Sequence, residues 1–174
     1  MSDDQQALNV VIVEDHEALR RGMELLLRRG GHHVIGTAGD AGAGGAMILR
    51  RHPDVALVDL GLPGEGGAAL TRRLLAEAPG LRILIYTGAT DEDALLEGLA
   101  TGAAGFALKS GGPRELEKAI RAVARGDDYL DPGLKSLLAE SDAQTRLLSP
   151  RESEVLTLLA LGLSGESAAK QLHL

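Results

Sequence analysis

Val10-Val11-Ile12-Val13-Glu14-Asp15, Val55-Ala56-Leu57-Val58-Asp59, Ile83-Leu84-Ile85-Tyr86-Thr87 and Phe106-Ala107-Leu108-Lys109 are four short apolar runs, and each ends in a residue type that phosphoryl chemistry uses. Runs of this length read as strands. Longer segments of helical period separate them, which is the pattern of βα units and a parallel sheet. In an open parallel sheet the ligand crevice lies outside the carboxyl ends of the strands, so residues that terminate separate strands can meet in space. Carboxylates, a hydroxyl and an ammonium are thereby delivered to one edge.

Working outward from these runs, strands are expected near residues 8–13, 33–38, 55–59, 82–87 and 105–108, with helices near 17–29, 42–51, 66–78 and 92–101 between them. A fifth helix has the clearest signal. Pro113 suits a first helical position, Leu116, Ala119, Ile120, Val123 and Ala124 share one face, and Gly126 suits the stop. The helix near 42–51 is the weakest, because Gly42, Gly44 and Gly45 each cost roughly 1 kcal/mol relative to Ala inside a helix, and either a late start or a mobile helix is expected there. The expected fold is thus α/β, a doubly wound parallel sheet over residues 1–126, followed by a turn-rich linker at 127–147 and a small helical unit at 148–174. In that last unit Ser149-Pro150-Arg151-Glu152 reads as a capping box, and Val155, Leu159 and Leu163 continue one apolar face. Gly162 breaks the helix and Ser164 can cap a second, an arrangement that resembles the opening of a helix-turn-helix.

The composition narrows the function. A formal net charge of −7 suits neither sequence-independent attraction to DNA nor anionic lipid, and 2% aromatic residues leave little for stacking on bases. The absence of cysteine rules out a disulfide framework and thiolate metal sites. The first six residues are polar and acidic, and no apolar run approaches the roughly 18 residues of a membrane span, so a cytoplasmic protein with no membrane partner is expected.

Glu14, Asp15 and Asp59 form a carboxylate cluster if their strands are neighbours, a hard-oxygen set that suits Mg²⁺ with waters and phosphate oxygens. Asp59 is best placed as a nucleophile, since a carboxylate can accept a phosphoryl group as an acyl phosphate. The Lys109 ammonium can stabilise charge on the transferring group, and the Thr87 hydroxyl can donate to another phosphoryl oxygen. Any one of these residues alone reads as a cap or turn residue, but an acidic pair, then Asp, then Thr, then Lys, each ending its own strand, is a far more specific pattern. His32-His33 points its two rings to opposite faces of a strand, so a packed or solvated role outweighs a metal site. Gly39 to Gly45 lacks the Lys-Ser/Thr ending of a phosphate-binding loop.

Glu14-Asp15-His16, Asp59-Leu60-Gly61-Leu62-Pro63-Gly64, Thr87-Gly88 and Gly105-Phe106-Ala107-Leu108-Lys109 together resemble the signature positions of the receiver domain of two-component response regulators. The resemblance covers about residues 8–126. It implies a flavodoxin-like (βα)5 fold with a five-stranded sheet, a phosphoacceptor at Asp59, and metal ligation by Glu14, Asp15, Asp59 and the Gly61 carbonyl. It further implies phosphate contacts from Thr87 and Lys109, with Thr87 and Phe106 as switch positions. Leu148 to Leu172 is similar to the start of a LuxR-type helix-turn-helix, and the two halves together look like a NarL/FixJ-type regulator.

The partners so implied are a histidine kinase and promoter DNA, and the resemblance admits a second copy of the chain as a homodimer. Gly165-Glu166-Ser167-Ala168 departs from the family's usual Asn-Lys-Glu-Ile, and the helix that would read bases is missing, so the output unit is expected to be truncated and these residues to hold DNA weakly. Two other readings compete. A phosphorylation-dependent interaction module without a DNA target keeps the same receiver chemistry. An aspartyl-phosphate hydrolase would also use Asp, Mg²⁺, Thr and Lys at strand ends, but such enzymes carry Asp-x-Asp at the first strand, and Asp59 is followed here by Leu60-Gly61.

Overall fold

A computed structural model of the chain describes residues 6–88 and 92–136. The capping box at Ser149 to Glu152, the helix-turn-helix reading of 148–174 and the linker from residue 137 onward lie outside the described residues.

The elements alternate as the apolar runs require: β1 (Asn9–Val13), α1 (Glu17–Arg29), β2 (His33–Ala38), α2 (Ala41–Arg51), β3 (Val55–Val58), α3 (Gly67–Glu77), β4 (Ile83–Thr87), α4 (Glu92–Leu99), β5 (Gly105–Leu108), α5 (Gly112–Arg125) and β6 (Tyr129–Leu130). All five pairings are parallel, and the sheet order is β2-β1-β3-β4-β5-β6. The chain reverses direction across the sheet between β1 and β3, and the crevice for a ligand opens at such a switch point.

Successive strand residues point to opposite faces, so each strand feeds two cores. Val11, Val13, Val58, Ile83, Ile85, Phe106 and Leu108 pack with residues of α2, α3 and α4 on one face. Val10, Ile12, Leu57, Leu84, Tyr86 and Ala107 pack with residues of α1 and α5 on the other. These strand residues are buried, which is why the runs are apolar at every position rather than at alternate ones.

Two expectations are corrected here. The glycine-rich helix does not start late: α2 runs from Ala41, with Asp40 as its cap and Asp40 Oδ1 accepting from the Ala43 N–H at 2.8 Å. The glycines are packing surfaces. A Cβ on Gly44 would stand 2.6 Å from both methyls of Val13, and one on Gly45 would stand 3.1 Å from Leu70, so close approach of α2 to β1 and α3 offsets the poor helix propensity.

The sheet also has six strands rather than five. Residues 127–147 read as linker in the sequence, yet Tyr129 and Leu130 pair with Gly105 and Phe106, and residues 132–136 then turn into a helix whose Leu134 is fully buried beside Phe106 and Leu108. The left-handed Gly126, at φ 92°, ends α5 as expected and returns the chain to the sheet edge.

Candidate functional site

Four strand ends build the site. Glu14 and Asp15 follow β1, Asp59 follows β3, Thr87 is the last residue of β4, and Lys109 follows β5. Register fixes their common level: Val13 lies opposite Val58, Val58 opposite Ile85, and Thr87 opposite Leu108. Main-chain bonds lock it further, with the Asp59 N–H donating to Val13 O and the Glu14 N–H to Ala38 O, both at 3.0 Å.

Within this edge the Lys109 ammonium stands 2.8 Å from Glu14 Oε2 and 3.0 Å from Asp59 Oδ2. Glu14, Asp59 and Thr87 are all buried, at 1%, 6% and 7% exposure, while the Lys109 side chain is one-fifth exposed, at 20%. Burial alone would push the Lys109 pKa down, but hydrogen bonds and Coulomb attraction from the two carboxylates outweigh it and raise the pKa above its ordinary 10.5. The ammonium is therefore the fixed cation that lets two buried carboxylates share one edge.

Lys109→Met leaves Glu14 and Asp59 facing each other without that cation. It should lower the unfolding free energy at pH 7 by roughly 2 kcal/mol, less than the 3–5 kcal/mol typical of a fully buried pair because the ammonium reaches solvent. Since the folded pKa is raised, the stabilisation by Lys109 is complete below the free-lysine value and is lost as pH climbs through the folded one. Urea titrations should show an alkaline loss of stability in the parent chain that the variant lacks.

Asp15 sits at the mouth. Its Oδ1 is 3.0 Å from His16 Nδ1, and the same ring nitrogen is 3.3 Å from Glu14 Oε1. Glu14 Oε2 and Asp15 Oδ1 are cut off from solvent, the first facing the Lys109 ammonium and the second the His16 ring. Gly61 lies against Asp59, where a Cβ would come within 3.3 Å of Oδ2. Clustered carboxylates at one sheet edge form the hard-oxygen set that Mg²⁺ takes, so the residues present fit that ion. Phe106 is buried in the core face shared with Leu95 and Leu99. His32 is buried, accepting from the Leu8 N–H and bonded to Glu117 at 3.0 Å, while His33 is exposed, so this pair packs rather than ligates.

Three residues that shape the site carried no clear signal in the sequence. Arg20, on the first turn of α1, reaches back so that its Nη1 donates to the carbonyls of Glu14 and Asp15 at 2.5 and 3.3 Å, holding the acidic loop from behind. Gly67 starts α3 directly over Asp59, and a Cβ there would lie 1.9 Å from the Asp59 carbonyl oxygen. Asp131 accepts from the N–H of Leu108, the residue before Lys109.

A parallel α/β sheet gathers an acidic pair, an aspartate, a threonine and a lysine at its strand ends, and the chain belongs to the response regulator receiver domain family, whose family model matches residues 10–121. It is a two-component response regulator. Oxygen regulatory protein NreC of Staphylococcus carnosus is 34% identical over 95% of this chain and 82% of its own length. The DNA-binding transcriptional activator DevR/DosR of Mycobacterium tuberculosis is 34% identical over 96% of this chain and 81% of its own length. A crystal structure of a LuxR-family two-component response regulator from Aurantimonas matches with a TM-score of 0.73 at 33% identity, covering 79% of this chain and 99% of that one.

Proposed function

We propose that this chain is a phosphorylation switch in which Asp59 takes a phosphoryl group from a histidine kinase and thereby controls a DNA-binding output. The observation that carries the reading is the Lys109 ammonium placed between Glu14 and Asp59, because it sets a cation beside the buried carboxylate that follows β3. An Asp59 carboxylate oxygen forms the new O–P bond while the P–N bond of the phosphohistidine breaks, and the imidazole nitrogen keeps that electron pair and takes a proton from water. Lys109 meets the charge growing on one phosphoryl oxygen and the Thr87 hydroxyl donates to another, so most of the acceleration comes from positioning and charge stabilisation.

Glu14, Asp15, Asp59 and the Gly61 carbonyl would hold Mg²⁺. When bound, the ion supplies positive charge to the phosphoryl oxygens and relieves repulsion among the carboxylates. The phosphoryl group ends on the chain's own aspartate, so this is a switch rather than a turnover enzyme. No helix among the described residues is long and apolar enough to cross a membrane. A DNA target is supported by likeness to an activator named for DNA binding over most of this chain, and a homodimer by likeness to RcsB, a structure of which holds two dimers on DNA.

Incubation with Mg²⁺ and acetyl phosphate, followed by intact-mass analysis, tests the reading. One phosphoryl adduct should form, and chelation of Mg²⁺ should suppress it. Asp15→Asn should slow the reaction at fixed Mg²⁺ by at least about tenfold, since even partners behind a metal's ligands cost 10–100-fold in affinity. Adduct formation at the parent rate in chelator would refute the metal assignment.

A further inference from the structure

Asp131 is a buried carboxylate, 3% exposed, that the chemistry above does not use. It stands where the chain leaves the sheet edge, and all its polar groups are engaged. Its N–H donates to Phe106 O at 2.9 Å and its carbonyl accepts from the Lys135 N–H at 3.0 Å. On the side chain, Oδ2 accepts from the Leu108 N–H at 3.1 Å and Oδ1 from the Gly133 N–H at 2.8 Å. The main-chain pairing of β5 with β6 ends at Phe106 and Leu130, so the carboxylate supplies the acceptor that a further strand residue would have offered. It adds one rung to the ladder at the residue immediately before Lys109.

The turn that carries the lysine wraps the same group: Lys109 to Gly111 form a single 3-10 turn, and a Cβ on Gly111 would stand 3.0 Å from Asp131 Oδ2. The other end of the residue caps the helix at 132–136, whose Leu134 is packed in one core with Phe106 and Leu108. One side chain therefore ties the backbone of the Lys109 turn to the segment that exits the domain.

We propose that Asp131 is the positioning residue for Lys109, holding the end of β5 so that the ammonium meets the phosphoryl group on Asp59. This rests on Asp59 being the acceptor. Misplacing a catalytic group by about 1 Å can cost 10²-fold in rate, and loss of the rung frees the Lys109 turn on a smaller scale. Asp131→Ala should therefore slow phosphorylation by acetyl phosphate about tenfold. Asp131→Asn, whose amide oxygen can still accept from Leu108, should recover most of that loss.

The decisive measurement is a double-substitution cycle read as initial rates by intact mass. In a Lys109→Arg background, which keeps a cation but not the geometry, Asp131→Asn and Asp131→Ala should add no further loss, because a residue acting through Lys109 has nothing left to position. If Asp131→Ala fails to fold by circular dichroism, the Asn variant and its cycle carry the test alone, with a small loss in the parent background that vanishes in the Lys109→Arg background as the expected result. Losses that multiply in the two backgrounds would assign Asp131 a purely structural role, and full parental rate in every folded variant would also overturn the proposal. A parent chain that gains no phosphoryl group would instead overturn the acceptor assignment, and so the two failures are distinct.

Discussion

Asp59→Asn should gain no phosphoryl group under conditions that convert the parent chain, the largest effect expected of any single substitution here. An amide oxygen is not a nucleophile toward phosphorus at neutral pH, whereas the carboxylate it replaces can form an acyl phosphate. The substitution is nearly isosteric and removes one of the negative charges that Lys109 must balance, so the sheet edge should stay folded. Loss of the adduct can then be assigned to chemistry rather than to unfolding. Glu14 and Asp15 remain in the variant, and neither should substitute, because Glu14 is held by Lys109 and the His16 N–H while Asp15 lies at the mouth. An adduct of undiminished yield on Asp59→Asn would show that another residue accepts the phosphoryl group.

The second large effect comes from Gly67→Ala, a change that helix propensity alone would predict to stabilise by about 1 kcal/mol. The new Cβ would lie 1.9 Å from Asp59 O, 2.7 Å from Asp59 C and 2.8 Å from Leu60 Cα, and all three are backbone atoms that no rotamer change can move aside. The start of α3 and the β3–α3 loop must separate, at a cost of about 3 kcal/mol, the upper part of the usual range for overpacking. Thermal melts should fall by roughly 6–24 °C, given ~2–4 °C per kcal/mol for larger domains and ~4–8 °C for smaller ones. Asp59 moves with its carbonyl, so the phosphorylation rate should fall more steeply than stability. Gly22→Ala on α1 is the internal control: nothing lies within 4 Å of its Cβ, and it should raise the melting point. A rise for both variants would mean that the contact at Gly67 is not as tight as the geometry has it.

Much of the site is legible in the sequence because its chemistry is carried by residue types at strand ends, and strand ends are visible where apolar runs stop. Glu14, Asp59, Thr87 and Lys109 all come together at one edge, as that pattern requires. The features that are not legible depend on distance rather than on residue type. Gly42 to Gly45 read as helix breakers because propensity is local, while the contact of Gly44 with Val13 that gives them their use is tertiary. Asp131-Pro132-Gly133 reads as a turn, and only the parallel pairing of Tyr129 and Leu130 with β5 turns its carboxylate toward Leu108. Two residues of strand are too few to stand out against a charged, turn-rich stretch. Arg20 is one of several arginines on α1, and nothing in its sequence setting separates it from Arg21, which pairs on the surface with Glu17 instead.

The strand order has a consequence for synthesis. Residues emerge from the ribosome in sequence, but β1 sits between β2 and β3, and the cation of the site follows β5. A nascent chain that has emerged as far as α4 can already hold four adjacent strands with Glu14 and Asp59 at their edge, yet it has no Lys109 to balance them. Contacts of such long sequence separation form late and slowly. The carboxylate edge is thus electrostatically incomplete until β5 docks, and β6 with Asp131 arrives later still. Translation therefore supplies the cation that completes the charge balance of the edge only after both carboxylates that it pairs with.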